Sequence, residues 1–231
     1  IGLLNSFTNY AHHTYHIPQF LAVKWIAFTV SMLEIVILCR VVFDIAGSIR
    51  RRGAHQAKAV HQYFISLSRS WTCVLLFQAI LISIPPLNTL IHGTHVITAH
   101  AMGSEIGIDA YILLGAIAFI LHSWFEDERI RISLNGPNVI ISIRMMNLLF
   151  FCLFSVLTVS GLLKGVSRYL GEEAPALTKY TPIAFASLGT LMAIFLIAFL
   201  KHWVKILWES YPTFFPAKKQ VLIESVRFLP Q

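Results

Sequence analysis

Five stretches of this chain are apolar over lengths that can cross the hydrocarbon core of a bilayer, which takes about 20 residues. They predict transmembrane helices over residues 20–46, 59–84, 94–124, 138–165 and 182–208. Pro18, Pro85-Pro86, Asn135-Gly136-Pro137 and Pro182 mark the ends of these stretches. We therefore expect an all-α fold: a polytopic transmembrane helical bundle in a lipid bilayer, forming a single membrane domain over residues 1–231.

The composition agrees with a membrane setting. The chain is 56% hydrophobic and only 13% charged, more apolar than a soluble domain of its 231 residues would be. Cys39, Cys73 and Cys152 lie within apolar stretches, so they indicate neither a disulfide framework nor a CxxC metal motif. The net charge of +7 comes mostly from short loops and the C-terminal tail, and we expect no nucleic-acid partner.

The basic residues also predict an orientation. Arg50, Arg51, Arg52 and Lys58 follow the first helix, and the tail is basic as well, whereas residues 85–91 carry no charge. By the positive-inside rule the basic segments are cytoplasmic. The segment before the first helix, the turn at His92 and the connection over residues 164–179 would then share the outer side.

The histidines on that outer side are candidate metal ligands. His12 and His13 are adjacent, and on a regular helix their side chains would diverge by about 100°, so both could bind one metal only where the backbone leaves the helix. Imidazole suits iron, copper and zinc. The alternative is an interfacial belt shared with Tyr10, Tyr15 and His16, and this pair alone favours the belt.

His100 lies about 9 Å inside a helix that begins near Thr94, where a polar ring needs a partner. A haem iron would satisfy it, although a hydrogen bond to a neighbouring helix is the more common arrangement. Met102 projects roughly 200° around the axis from His100, so one helix could hold two haems. The alternative for Met102 is ordinary packing, which is more frequent for a lone methionine.

The order and separation of three motifs resemble the catalytic subunits of nitric oxide reductases, in the haem-copper oxidase superfamily. The motifs are residues 11–15 (AHHTY), 31–34 (SMLE) and 87–100 (LNTLIHGTHVITAH). The resemblance covers almost the whole chain and implies the last five helices of a twelve-helix subunit. It also implies that His12 and His13 ligate a non-haem iron, that His100 is the proximal ligand of a high-spin haem b, and that Glu34 lies near this binuclear site.

Glu34 would already be a candidate functional residue as an isolated carboxylate inside the membrane. The alternative, an ion pair with Lys24 or Arg40, is less favoured because neither is three or four residues away. Lys164 and Arg168 are one helical turn apart, where the resemblance places haem propionates. Pairing with Glu172 or Glu173 explains them equally well. His92 and His95 lie near the same rim, where either could contact a propionate, a calcium ion or water.

The chain departs from the family at Met102, where nitric oxide reductases carry a second histidine for a low-spin haem. A low-spin haem would here have histidine-methionine ligation or another ligand. The family's other iron ligands lie in earlier helices, which a separate chain or another part of the protein would supply. Because the chain opens on Ile1, we expect part of a longer polypeptide or a processed product.

Glu105 and Asp109 lie at i and i+4 in the third helix, on one stripe with Met102. We expect Asp109 to form a buried pair, with Arg69 and Arg144 as candidate partners. Glu105 is left open between a proton path and an ion pair.

The resemblance implies a respiratory enzyme of the bacterial inner membrane, with its metal site toward the outer side. It would reduce nitric oxide to nitrous oxide with electrons from a cytochrome c-type subunit or quinol. Alternatives in the same superfamily are an oxygen reductase, with copper in place of the non-haem iron, and a nitric oxide dismutase. Alternatives of another class are a non-catalytic haem electron-transfer subunit and an ion or proton channel.

Overall fold

The structure, a computed structural model, describes residues 17–51, 59–124 and 128–214. Side chains are described throughout these ranges except at residues 31, 33–35, 37, 38, 41, 42, 45, 46, 48–51, 129 and 210–214. In chain order the helices are α1 (Leu21–Arg51), α2 (Val60–Ser83), α3 (Pro85–Ile91), α4 (His95–Met102), a π-helical segment (Gly103–Ala110), α5 (Tyr111–Trp124), α6 (Glu128–Leu134), α7 (Pro137–Leu170), a 3-10 helix (Ala176–Tyr180) and α8 (Thr181–Phe214).

The described part of the chain contains no strand, which confirms the all-α prediction. Four helical stretches within it are long and apolar enough to cross a membrane: Val60–Ser83, His95–Trp124, Ile130–Leu170 and Ala176–Glu209. Each coincides with one of the predicted spans. The first predicted span coincides with α1, whose apolar portion among the described side chains is the shorter stretch Leu21–Val30. The chain is therefore a helical membrane protein.

α2, the third span (His95–Trp124), α7 and α8 run alternately up and down, so the bundle has two ends. We call them the His95 end, where α4 begins, and the Val60 end, where α2 begins. Two of the helices begin with proline: Pro85 is the first residue of α3, and Pro137 is the first residue of α7. Proline suits a first helical turn because the amide hydrogen that it lacks has no partner there.

The third span is not uniformly α-helical, because residues Gly103–Ala110 form a π-helical segment between α4 and α5. Two glycines let α2 approach this segment closely. A Cβ at Gly103 would clash with Leu75, and one at Gly107 would clash with Trp71. Helices in membranes often associate through such small residues, because packing rather than water exclusion drives their contact.

The main core lies between α2, α5, α7 and α8. Phe64, Tyr111, Phe150 and Phe199 are almost fully buried within it. A polar junction crosses the same core: the Oδ1 of Asn147 accepts hydrogen bonds from Trp71 Nε1 at 2.9 Å and from the Tyr111 hydroxyl at 3.4 Å. One α7 amide thus satisfies polar groups of two neighbouring helices that neither water nor lipid could satisfy.

Candidate haem and metal centre

The predicted ligands of the non-haem iron, His12 and His13, lie outside the described residues. Glu34 lies on α1, but its side chain is not among those described. Arg40, one of the two candidate partners of Glu34, donates from Nε to Asp44 at 3.3 Å. In the described part of the chain, no group of three or more His, Cys, Asp or Glu side chains could hold a metal ion. The predicted non-haem iron site therefore depends on residues outside the described ranges.

His100 is half-buried on α4 and contacts α2. Its Nδ1 lies 3.3 Å from the Oε1 of Gln78, whose side chain is only 7% exposed. The structure thus contains the hydrogen bond to a neighbouring helix that was the alternative to a haem. That bond involves Nδ1. If Oε1 accepts, Nδ1 carries the ring proton and Nε2 carries the lone pair, which is the tautomer that a metal ligand needs.

The residues around His100 fit an iron-bound imidazole for a second reason. In the described part of the chain, the Nε2 of Gln78 is buried without a hydrogen-bond partner, so Oε1 is the atom through which this amide makes its hydrogen bond. Metal-bound histidines regularly donate their other ring N–H to an oxygen acceptor, and Gln78 supplies one. His100 therefore remains a suitable position for a haem ligand.

Met102 ends α4, so the α-helical geometry that separates it from His100 by roughly 200° applies. Its half-buried side chain packs against the main core cluster. This packing is the alternative considered for a lone methionine, and ligation of a low-spin haem by Met102 stays a prediction.

The cations predicted near haem propionates do converge at the His95 end. Lys164 Nζ lies 3.1 Å from His95 Nε2. The guanidinium of Arg168 donates to the carbonyl oxygens of Leu90 at 2.8 Å, His92 at 3.0 Å and Thr89 at 3.3 Å. These carbonyls lie at the end of α3, where a helix leaves acceptors without intrahelical donors. Neither Lys164 nor Arg168 forms a salt bridge with the nearby Glu172 or Glu173, all four being described residues.

Glycines on α7 bring these cations to the α3–α4 junction. A Cβ at Gly161 would clash with the backbone nitrogen of Val96, and one at Gly165 would lie 2.6 Å from the carbonyl oxygen of Leu90. Helix α7 continues beyond the predicted end at residue 165 to Leu170, and Gly171 ends it in a left-handed conformation at φ 72°. Lys164 and Arg168 therefore remain one turn apart on a regular helix, as the prediction required.

The expectation of a buried ion pair at Asp109 is wrong. Both Asp109 and Glu105 are exposed on the π-helical segment, and neither forms a salt bridge among the described residues. A π-helix bonds i to i+5, so the i, i+4 stripe assumed for an α-helix does not hold there. Arg144, one proposed partner, donates from Nε to the Tyr63 hydroxyl at 3.2 Å instead.

Two residues of this region went unnoticed in the sequence. Gln78 and Asn147 are single amide residues inside apolar stretches. An isolated polar residue in such a stretch is a sequence signal for a buried hydrogen-bonding role. An amide in a membrane helix is retained only where something accepts or donates hydrogen bonds.

The four membrane-length helices in the described part of the chain define a polytopic helical membrane protein. It has an imidazole hydrogen-bonded to an amide inside the bundle and two cations at one end. Residues 1–198 match the family model of cytochrome c and quinol oxidase polypeptide I, so the chain belongs to that family. Its members are catalytic subunits of the haem-copper oxidase superfamily, which are respiratory oxidoreductases that bind haems and a binuclear copper or iron centre. No curated protein and no solved structure matches the chain.

Proposed function

We propose that this chain forms part of a membrane-bound nitric oxide reductase. Its family membership supports a haem-copper oxidase superfamily enzyme. The observation that carries the proposal further is the half-buried His100, whose Nδ1 bonds to Oε1 of Gln78, because the tautomer with its proton on Nδ1 suits iron ligation through Nε2. The resemblance of residues 11–15, 31–34 and 87–100 to nitric oxide reductases supports the choice of substrate.

Each candidate residue has one role in this proposal. His100 would ligate a high-spin haem b, and His12 and His13 would ligate a non-haem iron. Met102 would contribute to a low-spin haem. Lys164 keeps two N–H groups beyond the one directed at His95, so it could also bind a haem propionate.

When bound, the haem and the non-haem iron would supply electrons and two adjacent positions for joining two NO with two electrons and two protons into N2O and water. The residues of this chain would hold these groups in position and offset the charge that develops during the reaction. Glu34 would offset positive charge or hold a proton near the site. Arg168 would keep the α3–α4 junction closed through the carbonyls that it binds, and thereby hold the start of the His100 helix in place.

The remaining ligands that the family uses would come from other helices, in a separate chain or another part of the same protein. A cytochrome c-type subunit or quinol would donate the electrons. The complex would lie in the bacterial inner membrane with the His95 end facing outward, as the positive-inside rule predicts.

Metal and gas measurements on the purified complex test this function. We expect iron in excess of haem, no stoichiometric copper, and consumption of NO with formation of N2O. Copper together with consumption of oxygen alone would replace the proposal with an oxygen reductase. NO consumption with oxygen as a product would indicate a dismutase. Iron confined to haem, with neither gas consumed, would leave an electron-transfer subunit, and a complex without haem would indicate a channel.

A further inference from the structure

We infer that Gln78 is the positioning residue for His100, fixing its tautomer and setting its strength as an iron ligand. This inference rests on the proposed role of His100 and extends it to a residue of a different helix. The contact between Nδ1 of His100 and Oε1 of Gln78, at 3.3 Å, is the observation that carries it.

The packing of α2 against the third span places this amide opposite the imidazole. Leu75 of α2 lies over Gly103, and Trp71 lies over Gly107. Gln78 is three residues beyond Leu75, and His100 is three residues before Gly103. The two helices run in opposite directions, so moving three residues forward along α2 corresponds to moving three residues back along the third span. The alignment that places Leu75 against Gly103 therefore also places Gln78 against His100.

The amide has little freedom to turn away from this position. Gln78 is 7% exposed, and the residues before and after it on the same helix face, Leu75 and Ile82, are also buried. Gly103 and Gly107 carry no side chain that could push α2 back. Helix packing therefore holds the acceptor oxygen in position, independently of its hydrogen bond with His100.

A carbonyl oxygen at Nδ1 has two consequences for the ring. It keeps the proton on Nδ1, so that Nε2 presents its lone pair, and it increases electron density on the imidazole, which makes Nε2 a stronger ligand. An amide in the opposite orientation would donate to Nδ1, place the ring proton on Nε2 and prevent ligation. The oxygen-in orientation is thus the one that a haem ligand at His100 requires.

Within the described part of the chain, the Nε2 of Gln78 is buried without a hydrogen-bond partner, and such an orphaned group destabilises a membrane helix bundle relative to an apolar side chain of similar size. Gln78→Leu removes that group, but it also leaves the Nδ1–H of His100 without its acceptor. Thermal stability therefore does not separate a positioning role from a structural one, whereas the strength of the iron–histidine bond does.

Resonance Raman spectroscopy of the reduced, full-chain complex provides the test, because the iron–histidine stretching frequency reports ligand strength. Gln78→Leu removes the acceptor and should lower that frequency, with a raised haem midpoint potential. Gln78→Glu supplies a stronger acceptor of nearly equal size and should raise the frequency and lower the potential. We expect Gln78→Leu to weaken haem retention about 10-fold. Gln62→Leu, on an exposed site of the same helix, is the matched control and should change neither quantity.

Opposite frequency shifts in the two Gln78 variants support the inference. An unchanged frequency in both, or shifts in the same direction, would overturn it while leaving the proposed function intact. Should Gln78→Leu fail to assemble, the nearly isosteric Gln78→Glu still decides the question by the sign of its shift. His100→Ala separates the two proposals: if the high-spin haem survives that substitution, the role of His100 and the inference built on it both fail.

Discussion

The side chain of Lys164 reaches across from α7 to the first residue of α4, where its Nζ lies 3.1 Å from the Nε2 of His95. An ammonium group can only donate, so Nε2 accepts and His95 is neutral with its proton on Nδ1. The positive charge at this rim is therefore carried by Lys164 and Arg168. Both belong to one face of α7, and an anion docking at the His95 end would meet them together.

Replacing Lys164 with Gln tests whether that anion is a haem propionate. A nearby cation favours the reduced haem, which carries less positive charge on iron, so Lys164→Gln should lower the haem midpoint potential. Redox titration of the purified complex measures the change. Lys179→Gln, which removes an exposed charge from the 3-10 helix, should leave the potential where it was. Equal potentials in all three proteins would argue against a propionate at Lys164.

Gly161 should be intolerant of any side chain. Its added Cβ would clash with the backbone of Val96, and a backbone cannot rotate aside as a side chain can. Gly161→Ala should lower the thermal stability of the complex, by about 1–3 kcal/mol as typical of overpacking. Gly189→Ala on α8 is the matched control, because nothing lies within 4 Å of its added Cβ. It should be neutral or slightly stabilising, since alanine favours helix. Similar melting temperatures for both variants would contradict the close approach of α7 to α4.

Asn147 should contribute stability through the two donors that it accepts. Asn147→Leu keeps the volume but leaves Trp71 Nε1 and the Tyr111 hydroxyl without an acceptor in an apolar core. Each buried orphan costs about 1–3 kcal/mol. Trp71→Phe removes one of the two donors, and combining it with Asn147→Leu should give less than the sum of the two losses. Thermal unfolding of the four proteins measures the coupling, and strict additivity would refute the junction.

Met102 decides whether α4 holds one haem or two. If it ligates the low-spin haem, Met102→Leu should abolish the low-spin optical signal without affecting the high-spin one. Met102→His should restore low-spin ligation with a lower potential, since methionine raises the potential of the haem that it binds. A low-spin spectrum that Met102→Leu leaves unaltered would assign Met102 to the packing in which the structure places it.

The membrane helices could be predicted from the sequence because length and apolarity alone determine them, and each described span coincides with a predicted one. The π-helical segment at Gly103–Ala110 could not, since length and apolarity do not distinguish i to i+5 hydrogen bonding from i to i+4 hydrogen bonding. That segment is also why the i, i+4 stripe expected for Glu105 and Asp109 does not hold. A spacing argument assumes a regular helix, and here the helix is not regular.

The candidate site was predictable to a similar extent. The proximity of Lys164 and His95 could be expected because the positive-inside rule assigns the helix ends that carry them to the same side of the membrane. Gln78 was not predicted, because its contact with His100 depends on how two helices are aligned side by side. The spacing of residues along one helix carries no information about that alignment. Residues such as His12 and His13 lie outside the described ranges, so their convergence on one iron remains a prediction.

The most direct test of the central claim is to measure whether the purified complex, supplied with an electron donor, forms labelled nitrous oxide from labelled NO. The complex should produce one N2O for every two NO consumed, and His100→Ala should abolish production. His202→Ala, which alters a half-buried histidine on α8, should retain it. Consumption of oxygen without any labelled N2O, or N2O production that survives His100→Ala, would contradict the account.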